Sequence, residues 1–339
     1  YPLNDKWNLY SFGGASVKQG EGFGFRRLPS ETSNVVLSIF PNGFQPVLNS
    51  KIYDFSYAVG TKYQNNNWTL DLNNTFGSNV FNYDVSNTNN ASMGAQSPTE
   101  FNAGSHGFLQ NTFNIDASKK INNFNIAFGG EWRFEQYQIK SGEEASYKNY
   151  GLVSGAAGGA QSFIGFSNDN ALKKSRNSEA LYADVSYDLE KFNVDAAARF
   201  ENYSDFGSAL TGKLALRYEL FNNFSLRGAV GTGFRAPSLQ QQYFNNSYSD
   251  ISTSGSGIVN KGIFTNDSAI AQEIGFDKLK EEKSVNASAG FTFKPVDKLF
   301  ITLDGYLIKV KDRIVITSQF SDPSFAAYDV ESARFFANA

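Results

Sequence analysis

The sequence predicts an all-β fold, a transmembrane antiparallel up-and-down β-barrel, from the period of its apolar residues, the length of its strands and the spacing of its connections. Apolar and polar residues alternate in about eleven segments, and a period of two is typical of strands with one apolar face. These segments are about 10–13 residues long. Strands of soluble proteins usually have about 5–6 residues, whereas a tilted strand that crosses a bilayer needs roughly 9–11. Strand length therefore favours a membrane protein.

Each predicted strand carries a continuous apolar face. In chain order the strands lie near 6–14, 52–63, 68–76, 107–118, 124–134, 179–189, 192–203, 209–220, 224–235, 285–293 and 299–312. A phase slip in the last strand, near Gly305, predicts a β-bulge. We find no amphipathic helix that could cover the apolar face, and the loops are rich in Asn, Ser and Gly. Lipid explains an apolar face that has no covering layer.

The connections alternate between short and long. The short ones are 64–67, 120–123, 190–191, 221–223 and 295–298; the long ones are 17–51, 77–106, 141–177, 237–283 and the segment after 313, with one short exception at 204–208. Outer-membrane barrels have short periplasmic turns and long extracellular loops. The pattern therefore predicts a multi-pass barrel of the bacterial outer membrane with its long loops outside the cell.

Composition excludes several classes of function. The 339 residues carry a net charge of −3, which gives no electrostatic footprint for nucleic acid. The chain has no Cys and a single His, so thiolate metal sites, His-cluster metal sites and an ordinary Ser-His-Asp triad are all excluded, unless such a triad is built on His106. We therefore expect no metal and no cofactor, and interpret His106 as a surface or rim residue.

Two segments resemble the signatures of a known family. The run Gly231–Leu239 is similar to the GxGFRAPS signature of TonB-dependent outer-membrane receptors; its motif residues are Gly233, Phe234, Arg235, Ala236, Pro237 and Ser238. The run Leu279–Asn286 resembles that family's LxPExSxNxxxG segment, with Glu281 where proline is usual, and Gly290 supplies the final glycine. Residues Phe81–Tyr83 and Asn87–Pro98 resemble the Bacteroidetes branch of the family.

The resemblance implies a 22-stranded barrel with a plugged lumen. Residues 1–339 would be one internal part of that barrel domain, with the N-terminal plug domain and the C-terminal strands absent from this sequence. The implied function is active uptake of a scarce ligand such as a ferric siderophore, haem, cobalamin or an oligosaccharide, with no enzymatic activity. The implied partners are the TonB-ExbB-ExbD complex, acting through the plug, a surface lipoprotein and outer-membrane lipid.

Three other functions stay open on the sequence. One is a passive porin-like channel, and the second is a barrel recruited as a subunit of a surface secretion or attachment complex. The third is a soluble all-β carbohydrate-binding protein or glycosidase. Dependence on detergent and copurifying partners would separate them.

The candidate site residues fall into two groups. Charged residues on the polar face are expected to face the lumen and to pair across strands or contact the plug: Glu131, Arg133, Asp195, Arg199, Glu201, Arg217 and Arg227. Asp195 would oppose Arg217 if strands 192–203 and 209–220 pair symmetrically. Aromatic residues in long loops, with no core to enter, are predicted ligand contacts, together with two charged residues near the extracellular end: Tyr147, Tyr150, Phe163, Tyr243, Phe244, Tyr248, Glu135 and Arg235.

Overall fold

The computed structural model describes residues 1–251, 258–328 and 330–339, in an all-β arrangement with two short helices. The strands are β1 (Trp7–Phe23), β2 (Val47–Asn65), β3 (Trp68–Ser86), β4 (Glu100–Ile121), β5 (Phe124–Lys140), β6 (Leu172–Asp188), β7 (Phe192–Tyr203), β8 (Gly207–Phe221), β9 (Phe224–Arg235), β10 (Asn246–Ile251), β11 (Ile258–Ile263), β12 (Glu282–Val296), β13 (Leu299–Lys311), β14 (Ile314–Ile316), β15 (Val330–Arg334) and β16 (Phe336–Asn338). The helices are α1 (Leu239–Tyr243) and α2 (Ala269–Glu273), and 3₁₀ turns lie at Ala91–Gln96, Glu144–Ser146 and Pro323–Tyr328. Within the described ranges, no helix is both long enough and apolar enough to span a bilayer.

Eleven strands form one antiparallel meander in the order β1 to β9, then β12 and β13. All eleven predicted strands are confirmed, and the predicted all-β class is correct. The observed strands have 12 to 22 residues. Strands β1 to β6 are longer than predicted, because they continue beyond the alternating segments on the long-loop side, whereas β7 and β9 have the predicted bounds. The loops are correspondingly shorter than the sequence suggested.

The predicted bulge at Gly305 is wrong. Gly305 pairs in register with Ala289. Within the eleven-stranded sheet, register shifts occur instead between Tyr83 and Asp84, between Glu219 and Phe221, and between Phe293 and Val296. The phase slip arises because β13 carries apolar residues on both faces, such as Leu303 and Ile308.

The two ends of the sheet differ as the sequence predicted. At one end, two-residue turns lie at 66–67, 122–123, 222–223 and 297–298, and a three-residue turn lies at 189–191. Asn66 and Asn122 occupy these turns with φ of 46° and 51°. Tight hairpin turns require this left-handed backbone, and Asn tolerates it better than most residues. The long loops all leave the opposite end.

The sheet has one apolar face and one polar face. Apolar side chains paired across neighbouring strands are exposed on the first face: Leu70, Leu72, Ile115, Phe128, Trp132, Leu181, Leu214, Leu216, Leu226 and Val230. A contiguous exposed apolar surface of this extent marks an interface with lipid or protein. The polar face carries the charged residues described below.

The long loops form a small second layer with its own pairing. Strand β10 pairs with β11, and β11 pairs in parallel with β15, while β14 pairs with β16. The buried side chains of Ile270, Phe325 and Phe335 form its core, and Phe264 and Phe276 pack against them. The segment between β9 and β12 and the segment after β13 therefore fold together.

Candidate functional site

Four charged residues on the polar face form one network that crosses β6. Arg133 Nη2 lies 2.6 Å from Glu131 Oε1, and Arg199 Nη2 lies 3.3 Å from the same oxygen. Arg199 Nε also donates to Glu201 Oε1 at 2.6 Å. Ala180 of β6 lies between Glu131 and Glu201 in the strand register. Its small side chain leaves room for the contact between Glu131 and Arg199 across β6.

The predicted pairing of Asp195 with Arg217 is wrong by two residues. Asp195 lies opposite Ala215, because the connection after β7 consists of residues 204–206 and moves the register by two positions from the assumed one. Asp195 Oδ1 lies instead 2.6 Å from Lys213 Nζ. Charge pairing on this face follows the register set by turn length.

Arg227 forms a two-point ion pair with Asp304 across an intervening strand. Its Nε and Nη2 donate to the two carboxylate oxygens at 2.8 and 2.6 Å. Gly290 stands between the two residues in the register, so no side chain separates them. Arg217, the remaining predicted cation of this face, lies 3.7 Å from Glu219.

Arg176 is buried at the centre of a second group, at the end of the sheet that bears the long loops. Its Nε donates to Glu135 Oε2 at 2.5 Å, and its Nη1 donates to the carbonyl of Pro237 at 2.6 Å and lies 3.4 Å from Asp205 Oδ2. Arg176 and Glu135 are only 5% and 6% exposed. Buried charges persist only when they are paired and hydrogen-bonded. Arg176 meets this requirement through Glu135, the Pro237 carbonyl and Asp205. Sequence reasoning missed Arg176, because one Arg in an alternating strand carries no signal of its partners.

Glu135, one of the predicted ligand contacts, is therefore held in a buried ion pair. The guanidinium of Arg176 also lies 5.2 Å from the centre of the Tyr203 ring. A role of Glu135 in ligand contact stays a prediction.

The two segments that resemble family signatures meet through Arg235 and Glu282. These residues are direct partners in the β9–β12 register. Arg235 Nη2 lies 2.5 Å from Glu282 Oε1, and its Nε donates to Oε2 at 2.9 Å. The backbone N–H of Ile314 donates to Glu282 Oε1 at 2.8 Å. Glu282 therefore joins β9, β12 and the segment after β13.

The end of the first signature begins a short helix. Gly233 and Phe234 end β9 next to Arg235, and Ala236 and Pro237 lead into α1. Ser238 caps that helix: its Oγ accepts from the N–H of Gln241 at 3.0 Å, and Gln241 Oε1 accepts from the N–H of Ser238. This reciprocal capping satisfies N–H groups that a helix start leaves free.

Aromatic side chains from strands and loops pack together beside α1. We call this group the mouth cluster; it consists of Tyr83, His106, Tyr137, Ile139, Phe163, Phe166, Leu239, Tyr243 and Phe244. Phe163 stacks on Tyr83, with ring centres 4.8 Å apart and planes at 16°. Phe166 is fully buried and meets the Phe244 ring edge-on at 6.1 Å. The expectation that loop aromatics have no core to enter is wrong, because the loops fold back over the ends of β3 to β6.

His106 lies inside the mouth cluster. Its Nε2 is 3.3 Å from the Tyr83 hydroxyl, and its Nδ1 is 3.3 Å from the Tyr137 hydroxyl. His106 is half-buried among these rings, so the interpretation as a surface or rim residue gave its place at the long-loop end but missed its packing. The strand register places it opposite Phe81 and Ile139, and the ring of Phe244 from the β9–β12 segment lies 6.3 Å away.

The other predicted ligand contacts are distributed over two loops. Tyr243 ends α1, and Lys174 Nζ lies 5.2 Å from the centre of its ring. Burial together with nearby Asp205 raises the pKa of Tyr243. Tyr147 and Tyr150 lie in the loop 141–171, where both are half-buried. Lys148 Nζ lies 5.3 Å from the Tyr150 ring. The side chain of Tyr248 lies outside the described residues.

A cavity of about 490 Å³ opens beside α1. Its walls combine the aromatic ring of Tyr243 with charges of both signs, which include Asp205, Asp267, Lys278 and Lys280. Three predicted ligand contacts, Phe163, Tyr243 and Phe244, lie together in the mouth cluster.

A family model described as "TonB dependent receptor-like, beta-barrel" matches residues 2–337. The vitamin B12 transporter BtuB of Vibrio cholerae is 23% identical over 192 residues, which cover 56% of this chain and 25% of that protein. The siderophore receptor PirA of Acinetobacter baumannii has a TM-score of 0.63 at 15% identity, over 100% of this chain and 47% of that chain. A variant of the ferric enterobactin receptor PfeA of Pseudomonas aeruginosa has a TM-score of 0.57 at 13% identity, over 99% and 53%.

The chain spans about a quarter of the length of the curated relatives it matches and about half of these two solved chains. At such identities the solved structures establish a shared fold. The Bacteroidetes branch stays a prediction.

Proposed function

Because this chain belongs to the TonB-dependent receptor family and forms part of its outer-membrane β-barrel, we propose that the protein carries out active uptake of a scarce ligand. The family match over residues 2–337 is the observation that carries the proposal. The ion pair between Arg235 and Glu282 supports it, since it joins the two signature segments at the end where the long loops fold over the polar face. Residues 1–339 would then be an internal part of the barrel domain, with the plug and the remaining strands elsewhere in the protein.

The polar face becomes the lumen wall in this proposal. Glu131, Arg133, Asp195, Arg199, Glu201, Arg217 and Arg227 would face the plug. Most of them are already ion-paired along the wall, so the plug can slide or unfold past them without leaving a charge unpaired. The TonB-ExbB-ExbD complex would act on that plug, and a surface lipoprotein could cover the loops.

The ligand would bind where the long loops fold over the wall. Phe163, Tyr243 and Phe244 offer stacking surfaces there, and Tyr147, Tyr150, Tyr248, Glu135 and Arg235 remain further predicted contacts. A ferric siderophore, haem, cobalamin and an oligosaccharide are the candidate ligands. The names of the similar proteins include a vitamin B12 transporter and siderophore receptors, which supports this range without choosing within it.

Uptake by cells that produce the full-length protein tests the proposal. The probes are labelled cyanocobalamin, ferric enterobactin, haemin and maltoheptaose, with and without a protonophore. We expect uptake of one probe that stops when the proton gradient collapses. Uptake that persists would indicate a passive porin-like channel. No uptake, together with stoichiometric copurification of secretion or attachment proteins, would indicate a complex subunit.

A further inference from the structure

A second cavity, of about 310 Å³, lies between the β1–β2 loop, the β5–β6 loop and the start of β10. Its polar lining includes Arg27, Asn34, Gln161, Ser162 and Asn246. Phe163 also lines it and connects it to the mouth cluster. The volume is about ten times the share of one water molecule in the liquid, roughly 30 Å³, so it can hold part of a ligand.

Three side chains around this cavity have unused hydrogen-bonding capacity. Gln161 is 5% exposed, and within the described part of the chain its side-chain amide has no hydrogen-bond partner. Arg27 Nε and Asn246 Oδ1 are buried without a partner among the described residues. The nearest acid to Arg27 is Glu31, at 3.6 Å from Nη1. Buried polar groups are almost always paired, so a lone donor and lone acceptors around one cavity indicate an occupant.

The backbone around the cavity is fixed. Arg27 and Phe44 exchange both backbone hydrogen bonds, at 2.7 and 3.0 Å. The hydroxyl of Thr88 donates to the Gln161 carbonyl at 3.1 Å. Ser162 follows with φ of 83°, which is unfavourable for a residue other than glycine. Such backbone persists where the surroundings hold it, and it is common at ligand clamps.

The chemistry of these groups selects a class of ligand. A guanidinium binds a carboxylate or a phosphate through two parallel hydrogen bonds. The unpaired Asn246 Oδ1 needs a donor from the ligand, which a phosphate dianion does not provide. Glu31 beside Arg27 also opposes a dianion. A single carboxylate next to hydroxyl or amide groups satisfies both requirements.

We propose that this cavity is a subsite for a carboxylate group of the imported ligand, with Arg27 binding the carboxylate and with Gln161 and Asn246 binding the hydroxyl or amide groups beside it. The assignment rests on the proposed uptake function. Three sources share this chemistry: a hydroxycarboxylate chelate, an acidic sugar and a peptide C-terminus.

Calorimetric titration of the full-length receptor in detergent tests the subsite. The probes are ferric citrate, trigalacturonate and trialanine, with maltotriose and trialanine amide as neutral counterparts. We expect one acidic probe to bind and its neutral counterpart to bind more weakly. R27Q should weaken that binding about 10- to 100-fold, since hydrogen bonds to charged groups contribute about 1.5–3 kcal/mol. R26Q is the matched control, because Arg26 is exposed, carries the same charge and lies outside the cavity lining. The R26Q receptor should bind the acidic probe with wild-type affinity.

Q161L provides a second variant if R27Q fails to fold, and it should also weaken binding. Absence of binding by all three acidic probes at millimolar concentration, or equal affinity of wild type and R27Q, would overturn the subsite. Energised uptake of another probe would then leave the uptake function standing. Arg27-dependent binding without any energised uptake would leave the subsite standing and overturn the importer.

Discussion

Arg227 on β9 and Asp304 on β13 bind each other through two hydrogen bonds that pass over Gly290 of the strand between them. The same arrangement recurs on the polar face: the hydroxyl of Tyr182 donates to Asp116 Oδ1 at 2.6 Å, and Gly129 stands between these two residues. A glycine in such a strand permits the close approach of two neighbours that another side chain would separate.

Gly290→Ala should destabilise the barrel wall. The added methyl group would occupy the space of the Asp304 carboxylate, and overpacking of this kind costs about 1–3 kcal/mol. The temperature at which the purified full-length receptor unfolds measures the effect. Unfolding is monitored by the change in its mobility in gels after heating. Gly228→Ala on the neighbouring strand is the control, because a methyl group there makes only ordinary contacts. Equal stability of the two variants would contradict the close packing of the Asp304 carboxylate against Gly290.

Leu216→Arg should impair membrane assembly far more than Ala215→Arg. Leu216 is 42% exposed on the apolar face, where an arginine near the midplane costs roughly 2–4 kcal/mol. Ala215 lies on the polar face opposite Asp195, which can pair with a new arginine. The fraction of folded receptor in the outer-membrane pellet distinguishes them. Equal tolerance of both changes would contradict the strand phase.

Arg176→Met should lower stability strongly. It leaves Glu135 buried without its partner, and breaking a buried pair in this way costs about 3–5 kcal/mol. The double variant that adds Glu135→Gln should recover part of the loss. Arg217→Met is the control, since Arg217 is 61% exposed and exposed pairs contribute about 0–1 kcal/mol. The melting temperature of detergent-purified receptor decides, and an unchanged value for Arg176→Met would refute the central role of this residue.

Glu282→Ala should loosen the segment after β13. Glu282 binds both the Arg235 side chain and the N–H of Ile314. Its neighbour Glu281, which directly precedes β12, pairs instead with Lys283. Limited proteolysis of the receptor should cut residues 312–339 faster in this variant than in Glu281→Ala. Identical cutting rates would show that the contact to Ile314 does not hold the segment.

The sequence predicted the strands and faces of the eleven-stranded sheet better than the packing of the long loops at its end. Alternation ties each residue of a strand such as β5 to one face, so strands, faces and loop ends follow from local pattern. The partner of Asp195 was missed because it depends on turn length, which shifts a whole strand. The burial of Phe166 and the packing of rings around His106 were missed because loop residues have no period, and their contacts come from distant parts of the chain.

The parallel pairing of β11 with β15 imposes an order on folding. The two strands are separated along the chain by the hairpin of β12 and β13, so their pairing closes a long loop unless that hairpin has already folded. Contacts between residues far apart in sequence form late, because closing a long loop costs entropy first. We therefore expect the second layer around Phe325 and Phe335 to form after the β12–β13 hairpin has paired with the sheet.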